Sequence, residues 1–157
     1  MPPARLGPAP PASSAATHKV MVSNRGRNTK LELDLRHALT ESGIRGFRVN
    51  YLVGGTSVDI AFPSAKVAVF VNGCFWHHCR VCGFSIPKTH SDFWARKFRL
   101  TRMRDARVRM LIRKRGWNFI EIWEHQIRSD MRSCVRLIAA ATSPRRPVST
   151  ELNRRQE

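Results

Sequence analysis

The chain has 157 residues, enough for one domain with a real core, so a bound metal would staple the fold and not constitute it. It carries 28 Lys and Arg against 11 Asp and Glu, a net charge of +17, and so large an excess points to a polyanionic partner. No apolar run approaches the roughly 18 residues of a membrane span, and the start MPPARLGPAPPASSAATHK has no apolar h-region, so neither a span nor a secretory signal is expected.

Residues 1–23, rich in Pro, Ala and Ser, are expected to form a disordered tail. A helix then starts at Thr29, where Thr29 and Glu32 fit a capping box. Leu31, Leu35, Ala38 and Leu39 follow at helical spacing, and Gly43 can end the element. Phe47 to Tyr51 is a predicted strand, and Gly54-Gly55 a turn. Val58, Ile60 and Phe62 alternate with Asp59 and Ala61 as in a half-buried strand. Pro63-Ser64 turns the chain into Lys66–Val71, whose nearly continuous apolar run suits a strand covered on both faces. Ser91 can cap a helical region reaching about Arg115, with a break expected near Arg99–Thr101, and 10 of the 20 residues from Arg96 to Arg115 are Lys or Arg. Asn118–Trp123 is a further strand and Ser129–Ala141 a final helix. The order α-β-β-β-α-β-α argues for an α/β fold, a mixed sheet flanked by helices. Its domain spans 24–142 and is followed by a polar tail at 143–157.

Residues 69–82, VFVNGCFWHHCRVC, carry most of the chemistry. Cys74, Cys79 and Cys82 stand at C-x4-C-x2-C spacing after the turn signal Asn72-Gly73. Crowding of this kind points to a metal site in a reducing compartment and not to a disulfide framework. Zinc takes four tetrahedral Cys or His ligands. His125, just past a strand end, is one candidate for the fourth. Cys134, within an apolar helical pattern, is its rival, and four cysteines would instead allow an iron–sulfur cluster. His77 and His78 lie inside the loop and are badly placed to close their own chelate. With four protein ligands the zinc is structural, and catalysis must come from elsewhere.

Magnesium-dependent phosphodiester cleavage needs carboxylates near the scissile phosphate. Asp59 is the best candidate, because Asp is disfavoured inside a strand. Glu32 is weaker, since the capping box already accounts for it. His77 could act as general base or proton shuttle, or only contact phosphate. Asp34, Glu41, Asp92, Asp105 and Glu121 look like surface or helix charges, with Asp105 paired to neighbouring arginines. Phe75 and Trp76, adjacent in a metal-pinned loop, are candidates for a wedge between base pairs, lowest in cost at a mismatched step. Core packing is the competing role for each, and more strongly for Trp94.

Gly73-Cys74-Phe75-Trp76-His77, Pro87-Lys88-Thr89, Phe93-Trp94, Arg104-Asp105, Gly116-Trp117 and Ile122-Trp123-Glu124-His125 together resemble the very-short-patch mismatch repair endonuclease family. Upstream, Arg27-Asn28-Thr29-Lys30 with Glu32, Asp59 and Phe62 extend the resemblance, which covers roughly residues 24–128. It implies a restriction-endonuclease-like fold of the PD-(D/E)xK type with a structural zinc. It also implies magnesium-dependent nicking of duplex DNA beside the thymine of a T·G mismatch, the product of 5-methylcytosine deamination. By position, Asp59 would be the metal-binding catalytic carboxylate, Glu32 an accessory acid and His77 the histidine that handles water. Phe75, Trp76 and Trp94 would intercalate, and Cys74, Cys79, Cys82 and His125 would hold zinc. Lys30, Lys88, Arg96 and Lys97 are the cations set against DNA.

The chain departs from the family pattern at two places. Val58 stands where a Pro often precedes the catalytic Asp. Asn72 stands at a catalytic position where members carry His or Asp; its amide can accept a hydrogen bond or ligate weakly through its carbonyl, but it brings no charge and cannot shuttle a proton. Val71 could offer magnesium only its backbone carbonyl. A zinc-stabilised DNA-binding module with weak or no catalysis therefore stays open, as does an endonuclease for another modified DNA. The resemblance further implies a monomer in the bacterial cytoplasm, associated with the nucleoid, with mismatch-repair proteins as further partners.

Overall fold

The computed structural model describes residues 7–11 and 26–144. Most of both expected tails therefore lies outside the described residues. None of the described helices is long and apolar enough to cross a membrane.

Helix α1 (Lys30–Glu41) starts as its capping box dictates: the Thr29 hydroxyl accepts from the Glu32 N–H at 3.4 Å, and the Glu32 carboxylate accepts from the Thr29 N–H at 3.3 Å. Strand β1 (Arg48–Val53) turns through Gly54 and Gly55, whose φ of +58° and +83° favour glycine, into β2 (Thr56–Phe62). A short turn at Pro63–Ala65 leads into β3 (Val67–Asn72). Helix α2 (Ser91–Lys114) then crosses over to β4 (Asn118–Trp123), which pairs parallel with β3, while β1–β2 and β2–β3 are antiparallel. The result is a mixed four-stranded sheet in the order β1-β2-β3-β4, closed by helix α3 (Glu124–Thr142).

Two apolar layers hold the sheet. On one face Leu35 and Leu39 of α1 and Ile127, Val135 and Ile138 of α3 meet Ile60, Phe62, Val67, Val69, Ile120 and Ile122. On the other, Ile112 and Val108 of α2 meet Val53, Val58, Ala61 and Ala68. Truncating a fully buried aliphatic of this kind to Ala typically costs roughly 2–5 kcal/mol.

Three local expectations are corrected. Helix α2 is continuous through Arg99–Thr101, because Leu100, Thr101, Val108 and Ile112 extend the inward stripe begun by Trp94 and Phe98, with no Gly or Pro to break it. Helix α3 begins at Glu124, well before Ser129. The Gln126 side chain accepts from the Trp123 N–H at 2.8 Å, and the chain kinks at Asp130 (φ −152°, ψ 76°), whose carboxylate caps the second half through the Ser133 N–H at 3.0 Å. The alternation in β2 is also broken. Val58 and Ala61 join one apolar layer while Ile60 and Phe62 join the other, so the register of faces changes at Asp59. The β1–β2 pairing skips from Val49–Ile60 to Tyr51–Val58, and Asn50, in that gap, has φ +49°.

Candidate active site and metal centre

Asp59 sits within β2 at the point where the two apolar layers exchange faces. Its Oδ2 accepts the backbone N–H of Val71 at 2.8 Å, and its Oδ1 makes no hydrogen bond among the described residues. Burial is the main influence on this carboxyl and raises its pKa from 3.8 to about 6. Glu32 adds to the rise, while the Val71 N–H, Arg36 and His77 oppose it. A half-buried carboxylate with one free oxygen is a fit donor for a hard cation.

Asp59 lines a cleft of about 870 Å³ that also includes Glu32, Val71, Asn72, Phe75, Trp76 and His77. Glu32 is 3% exposed and heavily engaged. It accepts from the Asn28 N–H (2.9 Å), the Thr29 hydroxyl (2.9 Å) and Arg36 (2.9 Å), so its capping role and its place in the cleft coexist.

The loop after β3 folds back on itself through His77 N–H to Gly73 O (3.1 Å) and Cys79 N–H to Cys74 O (2.8 Å). This turn puts His77 and His78 on separate tasks. His77 Nδ1 lies 2.6 Å from Asp105 Oδ2 on α2. His78 sits on Phe98, its ring centroid 4.8 Å away. Asp105 was expected to pair with arginines; it does reach Arg104 at 3.4 Å, but the closer partner is the histidine. Burial tends to raise the Asp105 carboxyl, and the His77 hydrogen bond and charge together with Arg104 outweigh it, holding it below the usual range. The pair can orient one imidazole nitrogen toward the cleft and stabilise a charged ring.

Glu121 is likewise no surface charge. It is half-buried on β4, with Arg109 at 2.6 Å on one oxygen and the Asn72 amide at 3.4 Å on the other.

Phe75 stands at the centre of an aromatic cluster, edge-on to Trp76 (5.2 Å), Trp94 (5.5 Å), Phe98 (5.5 Å) and Phe84 (5.9 Å). Trp76 is half-buried at the cleft. Trp94 is 5% exposed, packed in the core beneath these rings, so it could enter a DNA stack only after the cluster opens. Phe84 also lines the cleft, and the sequence reading missed it for want of a spacing signal. Lys97 Nζ hangs over Trp76 (5.1 Å), Trp94 (5.4 Å) and Phe93 (5.8 Å), and burial lowers its pKa. Lys88 and Arg96 are exposed, and Lys30 pairs with Asp34 at 2.8 Å on the surface.

Cys74, Cys79, Cys82 and His125 gather with their ligand atoms all within 4.8 Å of one another. His125 Nδ1 is 3.2, 3.6 and 3.6 Å from the three sulfurs. Tetrahedral zinc with bonds of roughly 2.3 Å to sulfur and 2.0 Å to nitrogen gives edges of about 3.5 Å, so the donor set fits zinc. The first turn of α3, directly after β4, delivers His125, and Glu124 beside it accepts the Cys74 N–H at 3.0 Å. Cys134 lies apart from the cluster, on the buried face of α3 in the apolar layer.

Residues 12–82 match the family described as DNA mismatch endonuclease Vsr. A type II nicking enzyme, V.NaeI of Lentzea aerocolonigenes, is 38% identical over 125 residues, covering 76% of this chain and 74% of that protein. The type II nicking enzyme V.XorIIP of Xanthomonas oryzae is 34% identical over 110 residues, covering 69% and 79%. The DNA mismatch endonuclease Vsr of Escherichia coli is 31% identical over 102 residues, covering 65% of each. With a mixed sheet, a Cys3His cluster and relatives of this kind, the chain belongs to the Vsr family of DNA mismatch endonucleases, DNA-repair hydrolases of restriction-endonuclease-like fold.

Proposed function

We propose that this protein is a magnesium-dependent nickase that cuts duplex DNA beside the thymine of a T·G mismatch. One observation carries the reading: the cleft that holds Asp59 and His77 is also lined by Phe75 and Trp76. A hard-cation carboxylate, a proton-handling imidazole and a stacking wedge so share one opening on a chain of net charge +17. The relatives named as nicking enzymes support a single-strand cut, and the one named a DNA mismatch endonuclease supports a mismatch as the target.

In this account the basic face, Lys30, Lys88, Arg96 and Lys97 included, neutralises phosphates, so affinity falls steeply with salt. Trp76 and Phe75 enter the base stack at the step that costs least to open, a mismatch. Asp59, Asn72 through its amide oxygen and Val71 through its backbone carbonyl would be the oxygen donors for magnesium, whose chemistry there would be Lewis acidity toward the phosphate and activation of water. His77, oriented by Asp105, takes the proton of the attacking water. Glu32 fixes the start of α1 against this site. The Cys3His zinc holds the wedge loop in shape.

Trp76→Ala is expected to lower the preference for T·G over T·A duplex about tenfold, the order of one stacking contact, with a smaller loss in nonspecific binding. Fluorescence titration without magnesium measures both, and equal losses would remove the wedge. Asp105→Asn is expected to cut the nicking rate about a hundredfold at unchanged DNA affinity; a rate within twofold of wild type would leave His77 without need of its partner.

The uncharged Asn72 favours a second reading, a DNA-binding module without catalysis. Tight, salt-sensitive binding with no magnesium-dependent cleavage would establish that alternative.

A further inference from the structure

Asn72 lies at the end of β3, 7% exposed, and lines the cleft beside Asp59 and His77. Its Nδ2 donates to Glu121 Oε1 at 3.4 Å on the adjoining strand, where Val71–Ile122 and Asn72–Trp123 are the neighbouring pairs. Arg109 of α2 donates to Glu121 Oε2 at 2.6 Å, and its guanidinium lies 5.4 Å from the Phe119 ring centroid. The three side chains form a relay running from α2, through β4, to the floor of the cleft.

The chemistry of this relay is directional. A carboxylate only accepts hydrogen bonds, and an amide has a donating and an accepting end. With Glu121 held by Arg109 and facing Asn72, the NH2 end of the amide must turn toward Glu121. The Oδ1 end is left without a hydrogen bond among the described residues, in a residue that lines the same cleft as Asp59. Were position 121 apolar, nothing described would choose between the two ends, and an NH2 group offered to a cation repels it.

We infer that Glu121 is a positioning residue that, braced by Arg109, fixes the Asn72 amide with its oxygen toward the cleft and so makes a neutral asparagine serve as a cation ligand. The inference rests on the nickase reading for its consequence in catalysis, but the orientation itself is independent of turnover. It also accounts for a half-buried carboxylate on β4, whose neighbours Ile120 and Ile122 belong to the apolar core.

The test uses the zinc-loaded full chain and reads cation affinity in two ways. Binding of Mn2+ alone, without DNA, is followed by electron paramagnetic resonance, and the magnesium concentration for half-maximal nicking is measured on a T·G duplex. Glu121→Leu is expected to weaken Mn2+ binding and raise the magnesium requirement about tenfold, with the maximal rate recovered at high magnesium and zinc content unchanged. Asn72→Asp alone sets two carboxylates face to face and is expected to gain little affinity or to lower the melting temperature. Asn72→Asp combined with Glu121→Gln reverses the direction of the bond, since the new amide at position 121 can donate to the new carboxylate. This double variant is expected to bind Mn2+ at least as tightly as wild type. Unchanged Mn2+ affinity in Glu121→Leu, whether or not its melting temperature falls, overturns the proposal, as does a double variant no better than Glu121→Leu alone. Absence of nicking by the wild-type chain would count against the nickase reading only, because the Mn2+ measurement decides the orientation by itself.

Discussion

Asp59→Ala is expected to abolish magnesium-dependent nicking while leaving DNA binding intact. Removing the charged ligand of a catalytic cation forfeits several kcal/mol of transition-state stabilisation, a rate loss of roughly a thousandfold or more. Asp59→Asn adds a sharper test, because it keeps an oxygen to accept the Val71 N–H. Burial moves the folded carboxyl up to about 6, from the ordinary carboxylate value of 3.8. Folded Asp59 therefore binds more protons than unfolded Asp59 between these values, and its contribution to stability falls as pH rises through the window and stays low above it. At pH 8 without added magnesium the ionised, half-buried group costs on the order of 2 kcal/mol. Asp59→Asn should therefore melt at the same temperature or higher than wild type at pH 8, with the advantage gone near pH 4. Circular dichroism melts at both pH values check this. A variant that is inactive and also less stable at pH 8 would make Asp59 a structural residue.

Cys79→Ser carries the second large effect, on stability. Cys79 is 3% exposed and stands among ligand atoms clustered within 4.8 Å. A structural zinc contributes its binding free energy to folding, but here the two apolar layers of the sheet exist without it, so the loss is partial. A loss of about 3 kcal/mol lowers the melting temperature by on the order of 10 °C, and zinc content measured by mass spectrometry should fall with it. DNA binding should weaken too, because the same loop carries Phe75 and Trp76. Unchanged melting together with unchanged zinc would falsify the structural-metal assignment. A Cys134→Ser variant should keep its zinc, since Cys134 lies on the buried face of α3, apart from the cluster.

Much of the architecture was legible because it is written in local patterns. The capping box at Thr29 and Glu32, the Gly54-Gly55 turn and the limits of β4 are all found where the sequence expects them. The mixed sheet followed from the order of those elements. The three crowded cysteines likewise announced their cluster, and His125, just past the end of β4, joins them from the first turn of α3.

What was missed depends on contacts across the sheet, which no local spacing encodes. Asp105 sits among arginines on a basic helix, and only the packing of α2 over the loop brings it to His77, 28 residues away. Glu121 looks like any outward charge on a strand until Asn72 and Arg109 are seen to meet it. The change of face at Asp59 hides in an apparently regular alternation, because Ala61 is small and apolar enough to suit either side. The kink at Asp130 is a capping signal inside a helix and so resembled a helix start near Ser129.

The most direct test of the account is strand-specific nicking. Labelled duplexes carrying T·G, T·A or C·G at one position are incubated with magnesium and the zinc-loaded protein, beside an Asp59→Ala control. The account predicts a single cut in the T-bearing strand of the T·G duplex alone, absent from the control. Equal cutting of all three duplexes, or cutting that survives loss of Asp59, would contradict it.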